Sequence, residues 1–179
     1  MISADKKSLL MFVIFISNVF SQSTLQQQFD LANKLFGEEK YFEVITELKR
    51  LQYFDKENQY TFQSNLLIGK SYKAGAKFDD AIKYFVIAEM NAANDDDYFA
   101  SKILNARTNI LRRTTKQAER ILNDLMDDSK FISKIKETKY WQGWTHIFSD
   151  EWDKAYEMFA TDNIDTALAS FCKNIDEEM

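Results

Sequence analysis

The sequence predicts an all-α chain, on three observations. It contains no proline and only four glycines, its apolar residues recur at helical spacing, and the pattern returns every 37 residues. Lacking proline and nearly lacking glycine, the chain has little of the punctuation of turn-rich β proteins, which suits long helices joined by short polar loops. At 179 residues, with 45% hydrophobic and 15% aromatic content, it carries enough apolar surface to exclude disorder and to fill the core of one domain. A net charge of −5 lacks the basic surface that a phosphate backbone demands, so nucleic acid is set aside as a partner. The single cysteine, Cys172, makes neither an internal disulfide nor a cysteine-cluster metal site. The fold therefore rests on packing.

Residues 1–21 read as a signal peptide. Lys6 and Lys7 form a short basic region, Leu9 to Phe20 is almost wholly apolar, and Val19-Phe20-Ser21 supplies modest side chains where a signal peptidase cuts, ahead of Gln22. The apolar run is shorter than the roughly 20 residues needed to span a bilayer, and Ser17 and Asn18 interrupt it. The alternative reading is an ordinary buried first helix, since the segment has no polar face to show solvent. Removing Asp5, Lys6 and Lys7 takes the charge from −5 to −5 − (+1) = −6. The ending resembles bacterial signal peptides, which implies an exported, periplasmic protein touching membrane only indirectly.

The repeat organises the rest. At an offset of 37, Tyr41, Phe78, Thr115 and Trp152 form one column, three of them aromatic. Three residues on, Val44, Ala81, Ala118 and Ala155 form a small-residue column, and four further on Leu48, Phe85, Leu122 and Phe159 form a large apolar one. Upstream, Ala32, Gly69, Ala106 and Gly143 make a second small column, and Phe29, Leu66, Ile103 and Tyr140 a bulky one. Each unit thus reads as two helices, with units beginning near residues 25, 62, 99 and 136. Small residues on both helices mark where they cross, so Ala32 is expected against Val44 and Gly69 against Ala81. The large column, Phe85 included, is expected to wedge between one hairpin and the next.

At these positions the chain resembles the tetratricopeptide-repeat family. The resemblance is fullest in Lys77-Phe78-Asp79-Asp80-Ala81-Ile82-Lys83-Tyr84-Phe85-Val86-Ile87-Ala88, preceded by Gly69 and Tyr72. The first unit is similar through Ala32, Leu35, Tyr41, Val44, Leu48 and Leu51, and the fourth through Gly143, Trp152, Ala155 and Phe159. The third keeps Ala106, Ala118, Leu122 and Leu125 but has Thr115 in the aromatic column. Two departures stand out: the period exceeds the family's roughly 34 residues, and no unit has the proline that often closes the second helix. The resemblance implies a right-handed α-solenoid of about four helical hairpins over residues 22–162. Residues 163–179 complete it as a C-terminal end helix, carrying Ile164, Ala167, Leu168 and Phe171 at helical spacing, and an acidic tail of Asp176, Glu177 and Glu178. Cys172 beside that stripe reads as a buried thiol.

Catalytic equipment is missing from the sequence. His146, the sole histidine, shares its column with Leu35, Tyr72 and Asn109, a structural place in a helix. No phosphate-cradling glycine loop, nucleophile motif or metal-ligand spacing occurs. Asp95-Asp96-Asp97 and Asp127-Asp128 read as solvated loop residues that cap the next helix; as a calcium loop they lack the glycine and terminal glutamate. The chain is therefore expected to be no enzyme and to need no cofactor or metal.

In this family the first helix of each unit lines a concave groove that binds peptides, and the resemblance implies the same here. One turn beyond the bulky column lie Asn33, Lys70, Arg107 and Trp144. As a row they suit a protein or peptide partner, acidic or offering its C-terminus, held by charge-assisted hydrogen bonds; as ordinary helix-surface residues they do nothing. They do not reproduce the carboxylate clamp of chaperone-binding relatives. Tyr140 and Trp141 are expected in the core and Trp144 in the groove. The function expected is a non-catalytic interaction scaffold or adaptor of the bacterial cell envelope. The alternative is a structural or self-associating soluble module of a longer membrane-attached protein.

Overall fold

The computed structural model describes residues 24–178, so the expected signal peptide lies outside the described residues. Among them there is helix and no strand. The chain divides into two compact units, with the boundary after Ser64, inside a helix.

The first unit holds α1 (24–37), α2 (Tyr41–Phe54) and the start of α3 (Thr61–Ala74). Ala32, Val44, Leu48 and Leu51 are its buried stripe. Gln28 donates from Nε2 to the Glu47 carbonyl at 3.2 Å and ties α1 to α2. Asp55, almost wholly buried, accepts from the backbone N–H groups of Gln59 and Tyr60 at 3.0 and 2.7 Å, so the loop that closes the unit is bonded through one carboxylate.

The second unit continues α3 from Asn65 and adds α4 (Phe78–Met90), α5 (Asp95–Leu111), α6 (Thr115–Asp127), α7 (Ile135–Ile147), α8 (Trp152–Ala160) and α9 (Thr166–Glu178). From α4 to α9 each helix packs on the next in sequence. The second helices of the four pairs begin at Tyr41, Phe78, Thr115 and Trp152, the aromatic column itself. First helices begin at Thr61 and Ile135 as the spacing predicts, but α5 starts at Asp95, four residues before 99. The reason is local. Asn94 accepts from the Asp97 N–H at 2.9 Å as N-cap, and Asp95, Asp96 and Asp97 occupy the first turn, where negative charge meets the positive end of the helix dipole. The acid run is thus helix rather than the loop expected for it.

One turn design joins both helices of every pair. The N–H groups of Lys40, Lys77, Thr114 and Glu151 reach back to the carbonyls of Leu35, Tyr72, Asn109 and His146 at 2.9–3.0 Å. Those of Glu39, Ala76, Arg113 and Asp150 reach Phe36, Lys73, Ile110 and Ile147 at 3.0–3.1 Å. Together these bonds make the Schellman closure, whose penultimate residue must be left-handed. Glu39, Ala76, Arg113 and Asp150 indeed have φ of 59°, 55°, 67° and 59°, and none is glycine. In two pairs a side chain doubles the closure: Thr114 Oγ1 donates to Asn109 Oδ1 at 2.8 Å, and His146 Nδ1 lies 2.7 Å from Glu151 Oε2. His146 is buried and clips a turn.

Two core glycines each face a phenylalanine ring. A methyl added at Gly69 would sit 2.6 Å from Cε1 of Phe85, and one at Gly143 would sit 2.5 Å from Cζ of Phe159. The atoms nearest to that methyl position at Gly69 thus belong to the Phe85 ring of its own pair. By register the same two columns hold Ala32 with Leu48 and Ala106 with Leu122 beside Gly69 with Phe85 and Gly143 with Phe159, every member buried. A larger residue on the second helix is matched by a smaller one on the first, holding the summed volume near constant. The large residues also carry the contacts onward. Phe159 joins Ala169 and Cys172 of α9, and Leu122 joins Phe99, Ile103 and Phe131. Phe131 lies in a short 3₁₀ segment, Ser129–Lys134, stacked on Tyr98 with ring centroids 6.0 Å apart.

Candidate functional site

The first helices of the second unit, α3, α5 and α7, differ from their partners in having polar groups on more than one face. Ser71, Thr108 and Thr145 are buried, each hydroxyl donating to the carbonyl four residues back at 2.7–2.9 Å, which lets small polar side chains sit in the packing without an unpaired hydroxyl. On another face of the same helices lies a pocket of about 280 Å³. Its wall is Ile110 and Leu111 of α5, Tyr140, Trp141 and Trp144 of α7, and Phe148; its cations are Lys73 and Arg107.

Arg107 sits over the Trp141 indole, its guanidinium carbon 4.1 Å from the ring centroid, and Arg113 sits over Phe148 at 4.2 Å. Contacts of this kind attract a guanidinium to the face of an aromatic ring. Burial, and then the Arg107 charge, push the Lys70 amine below the ordinary lysine value of 10.5. Lys73 is lowered by burial, then by Arg107, then by Lys70. No described carboxylate of this unit ion-pairs with Lys70, Lys73 or Arg107. The contrast with the rest of the unit is sharp. A second cavity of about 460 Å³, beside Glu89, Asp95, Tyr98, Asp128 and Lys130, is polar, and two of its charges are paired: Glu89 with Lys102 at 3.2 Å and Lys130 with Asp95 at 3.8 Å. Of these two pockets, the first joins an apolar wall to cations with no ion pair among the described residues.

Of the four residues expected in the groove, Arg107 and Trp144 line this pocket and Lys70 is coupled to it through Arg107. Asn33 belongs to the first unit, where its amide donates to the Phe29 carbonyl of its own helix at 3.1 Å. Tyr140 and Trp141, expected as core, have both roles: each packs against a buried cluster with one part of its ring and lines the pocket with another. Trp144 likewise packs on Phe159, with centroids 6.5 Å apart, so it is wall and core together. Lys73 lies outside the row of Asn33, Lys70, Arg107 and Trp144. Its signal was present, because it follows Lys70 by three residues and so shares its helix face.

Comparison with protein-family models, with curated proteins and with solved structures yields no match to this chain.

Proposed function

We propose that the chain is a tetratricopeptide-type solenoid that binds an acidic peptide segment of another protein along α3, α5 and α7, and that it performs no chemistry. The observation that carries this reading is the pocket itself, an aromatic wall with Lys73 and Arg107 in its lining, Lys70 within the field of Arg107, and no ion pair to any of the three among the described residues. Holding like charges together in a half-buried place costs folding energy unless a ligand of opposite sign repays it. The aromatic wall gives an apolar anchor side chain its cover, and indole and phenol rings are the residues most often found at binding hot spots. The helix pairs, repeating at 37 residues with one turn geometry, supply the scaffold on which successive first helices present one face.

The setting proposed is the bacterial envelope, on the basic, apolar and small-residue order of residues 1–21. Among the described residues no helix is long and apolar enough to cross a membrane. Mass spectrometry of protein from its host should find an N-terminus at or next to Gln22; intact Met1 in a cytoplasmic fraction would defeat the export reading.

Binding is tested with a short Asp/Glu-rich peptide carrying one phenylalanine, titrated while following tryptophan emission, since Trp141 and Trp144 line the pocket. A saturable change is expected with this peptide, and none with its Asn/Gln counterpart. Equal responses, or no response to either, would remove the acidic-ligand reading.

A further inference from the structure

The aromatic wall of the pocket is a row of rings with a guanidinium over each end. Trp141, Tyr140, Trp144 and Phe148 follow one another with centroids 5.2, 6.5 and 6.3 Å apart. Arg107 sits over Trp141 at one end, and Arg113 over Phe148 at the other. Between them the lining is apolar, from Ile110, Leu111 and Trp144. Arg113 is exposed and, like Arg107, enters no ion pair among the described residues of this unit, whereas its neighbour Arg112 holds Asp79 at 2.7 Å. Arg113 stands in the turn between α5 and α6 and is its left-handed residue, with φ of 67°. Glycine suits that backbone better than arginine, so the turn itself does not call for this side chain.

The spacing decides what fits. Phe148 stands seven residues after Trp141 along α7, roughly 10 Å of helix rise. An extended peptide advances roughly 3.3 Å per residue and turns alternate side chains to one face. Acids two residues apart, roughly 7 Å, leave no place between them for an anchor on that face. Acids four residues apart, roughly 13 Å, put one side chain between them on the same face, and their flexible ends take up the difference. An aromatic anchor suits a wall of rings, which favour edge-to-face contact.

We infer that Arg113 is a second carboxylate subsite of the pocket, and that the ligand is an extended segment reading acid-x-aromatic-x-acid, with one acid at Arg107 and the other at Arg113. This rests on the acidic-ligand reading above and names the pattern recognised.

Three end-blocked peptides test it: Asp-Ser-Phe-Ser-Asp, and the same peptide with either its first or its last aspartate replaced by asparagine. Each is titrated, by tryptophan emission, into native protein and into Arg113→Gly, which keeps the left-handed turn. Native protein should bind the diacid about tenfold or more tighter than either monoacid, the worth of one partly desolvated charge-assisted contact. Arg113→Gly should bind the diacid about tenfold more weakly. It should no longer distinguish the diacid from one of the monoacids, yet still prefer it to the other. An equal loss for all three peptides would make Arg113 a mere prop for Phe148 and overturn the inference, as would no loss at all. If native protein binds the three peptides alike, and binds the Asp/Glu-rich phenylalanine peptide but not its Asn/Gln counterpart, the spacing falls while the acidic-ligand reading stands. If no acidic peptide binds, both fall.

Discussion

Gly69→Ala is the most informative single change in the core, because its cost and its cure both follow from one contact. The added methyl would lie 2.6 and 2.7 Å from Cε1 and Cδ1 of Phe85, against about 3.5–4.0 Å for relaxed carbon contact. Phe85 is fully buried, so its ring cannot swing into solvent. Overpacking of this kind costs about 1–3 kcal/mol, and the better helix propensity of alanine returns about 1 kcal/mol. The clash falls on a rigid ring, which argues for a net loss of about 1–2 kcal/mol. Phe85→Leu alone leaves the glycine notch unfilled and should cost about 1–2 kcal/mol, and Phe85→Ala about 3–5 kcal/mol. The double change Gly69→Ala, Phe85→Leu reproduces the combination that the same two columns hold at Ala32 and Leu48 and at Ala106 and Leu122. It should fold within about 1 kcal/mol of native, a coupling energy of about 1–3 kcal/mol. Urea melts followed by circular dichroism measure all four corners of the cycle. Additive losses, or a neutral Gly69→Ala with Phe85 intact, would refute the matching of sizes between the two columns.

Three further outcomes are expected. Moving the glycine of the second turn by one residue, as Gly75→Ala with Ala76→Gly, should stabilise by about 1 kcal/mol in thermal melts, since φ is 55° at residue 76 and a methyl at residue 75 meets nothing closer than 3.7 Å. Lys83→Ala, at an exposed place on the same helix as Phe85, should change stability by less than about 0.5 kcal/mol. The Glu151 carboxyl is held below its ordinary 4.5 by hydrogen bonds from Lys154 and then His146. A depressed carboxylate stabilises the fold above 4.5 and loses that contribution as pH falls through its lowered value, so Glu151→Gln should flatten the acid limb of a stability-versus-pH curve below pH 4.5.

Helix positions were legible because periodicity is a property of the sequence itself: Tyr41, Phe78, Thr115 and Trp152 open four helices. The partners within each pair were not legible from columns taken singly. Reading the first small column against the large one would have shown glycine opposite phenylalanine and alanine opposite leucine, the trace that close packing leaves in sequence. The early start of α5 was written in Asn94 and the acids after it, yet runs of aspartate signal loop and helix N-terminus alike. At the site, Arg107 and Trp144 follow from the register, whereas the stacking of Arg107 on Trp141 depends on rotamers and on the distance between α5 and α7. The repeated left-handed residues were hidden because Glu39, Ala76, Arg113 and Asp150 share no side-chain chemistry; only the backbone is common to them.

The central claim is that uncompensated cations on the first helices hold an acidic partner, and the affinity of the Lys70→Ala, Arg107→Ala variant for the Asp/Glu-rich phenylalanine peptide tests it most directly. Both charges are absent from the ion pairs that hold the fold together. The double variant should therefore bind at least about tenfold more weakly than native protein while its melting curve stays in place or rises. Unchanged affinity in a folded variant would contradict the claim and return both cations to ordinary surface charge.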